Sequence, residues 1–227
     1  MYNSANLKED EKVKKSYIYI FLLFGFVNLF AEINRYDIKS GMVEYEILGK
    51  ADGMEKGDTI SGTSKLYFKD FGKIELLDEK IVQTIMGEKE EEHVISKIIG
   101  DKMLTVDFND EVIYSQKLVL DEENFMQNIK NYESFVQMGA KNLGKEDVLG
   151  YKCDVWQLGE DKIWVHNSVP LKLINQSMGI IQIQQAKFVV FNIEIKDDKF
   201  KLPNFPIKPI EEIEGEIEGE VTDISNK

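Results

Sequence analysis

Apolar and polar residues alternate with a period of two through most of this chain. In "MVEYEILG" (Met42–Gly49), Val43, Tyr45 and Ile47 fall on one side and Glu44 and Glu46 on the other, the signature of a half-buried strand. "TSKLYFKDFGKIELLDEK" reads as a hairpin around Asp70–Gly72, with Leu66 and Phe68 before the turn and Ile74 and Leu76 after it. Farther on, a two-residue turn at Asn109-Asp110 would set Val106 opposite Ile113 and Leu104 opposite Ser115. The long apolar-rich run Ile180–Ile195 predicts one strand that bends near Ala186, with Val189, Phe191, Ile193 and Ile195 sharing a face.

The period changes once. From Asp121 to Gly139, Phe125, Ile129, Tyr132 and Val136 recur at helical spacing, and Met126 and Phe135 widen the stripe. Asp121 suits the N-cap, Glu122 and Glu123 favour the positive end of the dipole, and Gly139 supplies the stop. The expected fold class is therefore mainly β: a curved, unclosed antiparallel sheet, a half-barrel, wrapped around one main helix.

"GYKCDVWQLGEDKIWVHNSVPLKL" (Gly150–Leu173) holds the only cysteine, Cys153, and His166, one of two histidines. Two registers are open to a hairpin turning at Gly159-Glu160. One sets Cys153 across from His166. The other sets Asp154 across from His166 and Trp156 across from Trp164, gathering Cys153, Val155, Ile163 and Val165 on one face. Burial favours the second, which parts the thiol from the imidazole. A nucleophilic thiol also needs a nearby cation or helix N-terminus, and its base needs an orienting group. No spacing here provides them, so Cys153 reads as a small buried hydrophobe. His93 sits in "EKEEEHVISK", a solvated charged run. Two histidines are too few for a zinc site, and no phosphate loop or nucleophile elbow occurs. No catalytic residue, metal or cofactor is expected, and no enzyme.

The two ends differ from the middle. Lys8, Lys12, Lys14 and Lys15 precede the apolar run Tyr17–Ala31, too short for a comfortable span and suited to a secretory signal over residues 1–31. An uncleaved anchor is the rival reading. No cysteine follows the cut, so the mature chain is expected not to be lipidated, and a lone cysteine forms no intrachain disulfide. The domain is expected over 32–204. From 205 to 227, glutamates alternate with isoleucine and glycine after a proline-rich stretch, which predicts a disordered acidic tail. The net charge of −13 and the solitary arginine, Arg35, exclude nucleic acid as a partner.

The order of strands, helix, "LGYKCDVW", the strand entering Val169-Pro170, and "F-x-L-P" at Phe200–Pro203 resembles the periplasmic lipoprotein-carrier (LolA-like) superfamily, including related envelope domains. The resemblance implies a hollow in the sheet that accepts a lipid, acyl chain or lipoprotein, and a periplasmic location. Two departures stand out: the carriers' arginine lies on an early strand, whereas Arg35 precedes the first strand here, and the outer-membrane acceptor of that system is lipidated, which is not expected of this chain. From the alternation of apolar residues, Trp156, Trp164, Phe191, Phe125, Ile129 and Tyr132 are the candidates to line a ligand site. The expected function is non-catalytic binding of a hydrophobic ligand. The alternative is an envelope protein-interaction module using a sheet edge and the acidic tail.

Overall fold

Alternation translates directly into burial. Val43, Tyr45 and Ile47 of β1 (Gly41–Ala51) are buried, while Glu44 and Glu46 on the opposite face pair with Lys65 and Lys187 at the surface. The computed structural model describes residues 34–51, 59–85, 88–117, 135–136, 139–177 and 180–210. After β1 come β2 (Thr59–Lys69), β3 (Ile74–Ile85), β4 (Glu88–Ile99), β5 (Lys102–Asp107) and β6 (Val112–Lys117). Then follow β7 (Lys141–Val148), β8 (Tyr151–Leu158), β9 (Asp161–His166), β10 (Val169–Ser177), β11 (Ile180–Phe191) and β12 (Ile207–Pro209). They form one 12-stranded sheet in the order β12-β6-β5-β4-β3-β2-β1-β11-β10-β9-β8-β7. Two antiparallel meanders thus meet at β1, which pairs with β2 on one side and β11 on the other.

Several local expectations hold. Asp70–Gly72 forms the turn between β2 and β3, as a short 3₁₀ segment. Val106 lies opposite Ile113 and Leu104 opposite Ser115. The connecting loop spans 108–111 rather than two residues, and the Asp107 carboxylate closes it by accepting from the Asn109 and Asp110 amides. The β1–β11 register shifts between Glu44 and Tyr45, leaving Lys187 as the extra residue beside Ala186, where a bend was expected. That strand ends sooner than its sequence suggests. Asn192 takes a positive φ of 56° and its amide donates to the Ser40 carbonyl, so β11 stops at Phe191.

The β8–β9 register differs from the one preferred on burial. Val155 lies opposite Trp164 and Trp156 opposite Ile163, so the ladder leads on to Cys153 facing His166. The turn decides it. Leu158 pairs with Asp161 across Gly159-Glu160, and Gly159 supplies the positive φ (60°) that a two-residue hairpin turn requires. The burial premise fails because both faces of this hairpin are covered. Cys153, Val155 and Trp164 enter the main core with Val43, Tyr45, Leu66 and Phe68, whereas Trp156 and Ile163 pack with Phe135. A bulge at Leu171, between Pro170 and Lys172 on β10, accompanies this change of face.

The expected half-barrel around one main helix is overturned. Among the described residues there is no helix of seven residues or more, only short 3₁₀ turns and the two helical residues Phe135 and Val136. The sheet is also mixed rather than antiparallel throughout, since β12 runs parallel to β6. Most of the stripe read as a helix, including Phe125, Ile129 and Tyr132, lies outside the described residues. Among the described residues, strands of the two meanders share one core. The sheet curls: the rings of Tyr151 on β8 and Phe191 on β11 meet with centroids 5.2 Å apart, although strands three places apart in a flat sheet are separated by about 14 Å. Tyr45 likewise reaches past β11 to donate to the Pro170 carbonyl at 2.7 Å.

A C-terminal strap covers the outward face of the β4–β6 end. Leu202 and Phe205 pack on Leu104, Val106 and Ile113, and Ile207–Pro209 adds β12 to the sheet edge. The tail drawn from 205 onward therefore begins inside the fold, and residues from 211 lie outside the described ones, as does the expected signal segment 1–31.

Between β2 and β3 the approach is close enough to require glycine. A Cβ at Gly62 would sit 2.4 Å from the Lys80 carbonyl oxygen and 3.2 Å from the Ile81 Cα, both backbone atoms. We predict that Gly62→Ala lowers stability by about 1–3 kcal/mol, read as a fall in thermal midpoint. An unchanged midpoint would show that the two strands are not held this tightly.

Candidate functional site

Register assigns every side chain of the first meander to one of two faces. The core face carries Ile47 on β1, Ser64 and Leu66 on β2, Leu77, Glu79 and Ile81 on β3, and Glu92 and Val94 on β4. By the same ladder, Lys65 and Lys69 on β2, Lys80 on β3, and Lys89 and Lys97 on β4 face the other way. The core face of β1–β4 thus carries carboxyl groups among aliphatic side chains, and none of its strand positions holds a lysine or arginine.

One of those carboxyls is neutralised. Arg35, in the segment leading into β1, is buried and forms an ion pair with Glu75, whose Oε2 also accepts from the Tyr36 hydroxyl at 2.6 Å. Burial raises the Tyr36 and Tyr45 hydroxyls well above the ordinary phenol range, and the Glu75 charge adds to the effect. Both therefore stay protonated as donors. The knot ties the lead-in to β3 at the end of the sheet nearest the Asp70–Gly72 turn.

Farther along β3 the carboxyls have no such partner. Ser64 lies directly opposite Glu79, which puts their Cβ atoms about 5 Å apart. Glu79 pairs with Val94, so Glu92 is its diagonal neighbour on β4, about 7–8 Å away by strand geometry. Ser64 is fully buried and Glu79 is 6% exposed. Ser64 Oγ, Glu79 Oε2 and Glu92 Oε1 are all buried without a hydrogen-bond partner. Burial pushes Glu79 up to about 8, and the like charge of Glu92 adds to this. Burial also raises Glu92, with Glu90 contributing.

The residues singled out from sequence are dispersed. Trp164 and Phe191 both belong to the main core. The Trp164 indole donates to Glu146 at 2.7 Å, and the Lys172 ammonium lies 4.5 Å from its ring centroid. Phe191 is packed against Tyr151, His166 and Phe68. Trp156 instead stacks on Phe135, centroids 4.9 Å apart, in a separate cluster. Phe125, Ile129 and Tyr132 lie outside the described residues.

Cys153 is fully buried, its thiol pushed up to about 11 by burial, so it carries almost no thiolate near neutrality. His166 has its Nδ1 2.8 Å from the Lys152 carbonyl oxygen and its ring against Tyr151 and Phe191. The second histidine, His93, is not free in solvent either. It contacts Asp78 at 2.8 Å and stacks on Phe108, which meets Phe205 of the strap.

Ser64, Glu79 and Glu92 were missed in the sequence because β3 presents acidic and aliphatic residues on both faces. Parity counted outward from the Asp70–Gly72 turn would have placed Glu75 and Glu79 with Phe68 and Ser64.

No protein-family model matches the chain, and neither does any curated protein. Solved structures do. An uncharacterized conserved protein from Thermus thermophilus matches with 5% identity and a TM-score of 0.43, over 76% of this chain and 92% of that one. A LolA superfamily protein from Nitrosomonas europaea matches with 12% identity and a TM-score of 0.37, over 74% and 94%. LprF from Mycobacterium bovis matches with 8% identity and a TM-score of 0.28, over 71% and 90%.

Two measurements check the electrostatics. Glu79 titrates near 8 when folded and near its ordinary value of 4.5 when unfolded. The folded chain therefore holds a proton that the unfolded chain releases, and this group's contribution to stability declines as pH rises from about 4.5 to 8, reaching a loss of about 3 kcal/mol by pH 7. Glu79→Gln should flatten that decline, raising the thermal midpoint at pH 7.5 while leaving it nearly unchanged at pH 5. An equal shift at both values would mean that Glu79 is not titrating in this window. Separately, Cys153 should resist iodoacetamide at pH 7.5 in the native protein and react promptly in denaturant; rapid native labelling would contradict its burial.

Proposed function

We propose that this chain is an exported, non-catalytic protein of the cell envelope that binds a hydrophobic ligand against the core face of its sheet. The supporting observation is the chemistry of that face. Aliphatic side chains on β1–β4 surround oxygen atoms that are buried and have no hydrogen-bond partner within the described protein. Such atoms each cost about 1–3 kcal/mol, and a bound molecule that supplies donors removes that cost. An apolar pocket with a few placed polar groups is the usual form of a small-molecule site.

The surroundings of Cys153 and His166 support the non-catalytic part of the reading, since each of these groups is engaged in packing or backbone contact. Export rests on the basic flank and apolar run of residues 1–31, with a periplasmic location as its consequence. Trp164 and Phe191, both in the main core, stay candidates for the apolar wall of the hollow. Trp156 packs on Phe135 across the β8–β9 hairpin from that core, and Phe125, Ile129 and Tyr132, outside the described residues, remain part of the proposal as ligand-site candidates.

A second reading has its own observation. β7 is an edge strand, and seven of its eight residues are exposed, leaving one row of backbone groups open to an added strand. Lys141, Lys145 and the register shift between Asn142 and Gly144 work against such pairing. The first reading is therefore preferred.

Native mass spectrometry of protein purified from membranes separates the two. Under the first, the intact chain carries a co-purifying apolar adduct that survives deletion of 211–227 and is lost on denaturation. Bare protein at every step, after incubation with a lipid extract, would contradict it.

A further inference from the structure

Ser64 Oγ, Glu79 Oε2 and Glu92 Oε1 are three acceptors on adjacent strands of one face, each buried and each without a donor. We propose that they form a receptor for a primary ammonium group carried on an apolar chain, three oxygens for three N–H donors. This rests on the hydrophobic-ligand reading above and specifies the ligand's head.

The alternatives fit less well. A carboxylate or phosphate head would find no basic strand residue on the core face of β1–β4, and the sole arginine, although its Nε and Nη1 have no partner, lies against Glu75 and not against Glu79. An alcohol brings one O–H and no charge, so none of the bonds it forms with these oxygens is charge-assisted. A hard cation such as calcium takes six to eight oxygen ligands, and no group of three or more histidine, cysteine, aspartate or glutamate side chains suited to a metal occurs among the described residues. An ammonium brings three donors and a positive charge beside two carboxyls, so each bond it forms is charge-assisted. The chain has a matching surface, because Ile47, Leu66, Leu77 and Ile81 flank the oxygens on the same face.

The serine makes the cluster more than an acidic patch. A hydroxyl buried completely in an aliphatic setting usually bonds to a backbone carbonyl or a neighbouring side chain, and Ser64 does neither. It stands directly opposite Glu79 on the neighbouring strand of the same face.

The test is a calorimetric titration of the full chain with three ligands of one chain length, each below its micellar concentration: dodecylammonium, dodecanol and dodecanoate. Dodecylammonium should bind at least about tenfold more tightly than dodecanol, the scale of one charge-assisted hydrogen bond, and dodecanoate should bind most weakly. Glu79→Gln should bring dodecylammonium down to the dodecanol level. Glu92→Gln and Ser64→Ala should each reduce the preference in part, and Glu44→Gln, the same substitution on the opposite face, should leave it intact. Thermal midpoints measured alongside identify any variant that has lost its fold, and the remaining variants then carry the comparison. Equal affinity for all three heads, or a preference that survives Glu79→Gln, would overturn the ammonium receptor and leave apolar binding standing. Ethylammonium binding as tightly as dodecylammonium would remove the chain from the proposal. No binding by any dodecyl ligand would defeat the hydrophobic-ligand reading, and the receptor with it.

Discussion

The pairing of Ser64 with Glu79 across β2 and β3 is where sequence, fold and chemistry meet. Side chains in a strand alternate strictly between faces, so a ladder shifted by one residue would reverse every assignment. In the observed register the lysines of β2–β4 go outward and the glutamates of β3 and β4 at 75, 79 and 92 go inward. Outward-facing Glu44 and Glu46 have Lys65 and Lys187 to meet them. Inward-facing Glu79 has Ser64, Glu92 and aliphatic carbon. Everything distinctive about the core face follows from that asymmetry.

What holds the register is backbone geometry more than hydrophobic pattern. The left-handed residues Asp70, Phe71 and Gly72 fix the β2–β3 turn, and Gly62 lets the two strands close. Arg35 and Tyr36 then fasten the lead-in onto Glu75. Loss of Arg35 would leave Glu75 as a buried unpaired charge, the most damaging kind of polar deletion. That knot and the Glu79 cluster lie on the same strand with opposite electrostatic outcomes. One carboxylate is compensated by a guanidinium and a phenol, while the next inward carboxyl along β3 is held neutral by its surroundings.

Much of this was legible in the sequence where a single face is buried. The alternation of Val43, Tyr45 and Ile47, the hairpin at Asp70–Gly72, the Val106–Ile113 pairing and the bend beside Ala186 all follow from local pattern and turn chemistry. Reading failed where both faces are covered. In β8 and β9 the choice of register rested on gathering apolar residues to one side, but Trp156 and Trp164 are both buried on opposite sides of the hairpin, so that criterion had no power. The Gly159-Glu160 turn held the deciding information. The C-terminal strap was hidden for a related reason: prolines and a following acidic run read as solvated chain, while Leu202 and Phe205 supply the few apolar contacts that pin it to β5 and β6. The core-face oxygens were invisible because a glutamate in a strand normally marks the wet side.

Whether Glu79 sits uncharged and without a partner in the free protein can be read directly. Carbon-13 spectroscopy of the glutamate carboxyls, with Glu79 assigned through its Gln variant, reads that group's proton alone. Glu79 should show a titration midpoint near 8. A Glu79 midpoint in the ordinary carboxylate range would contradict the account.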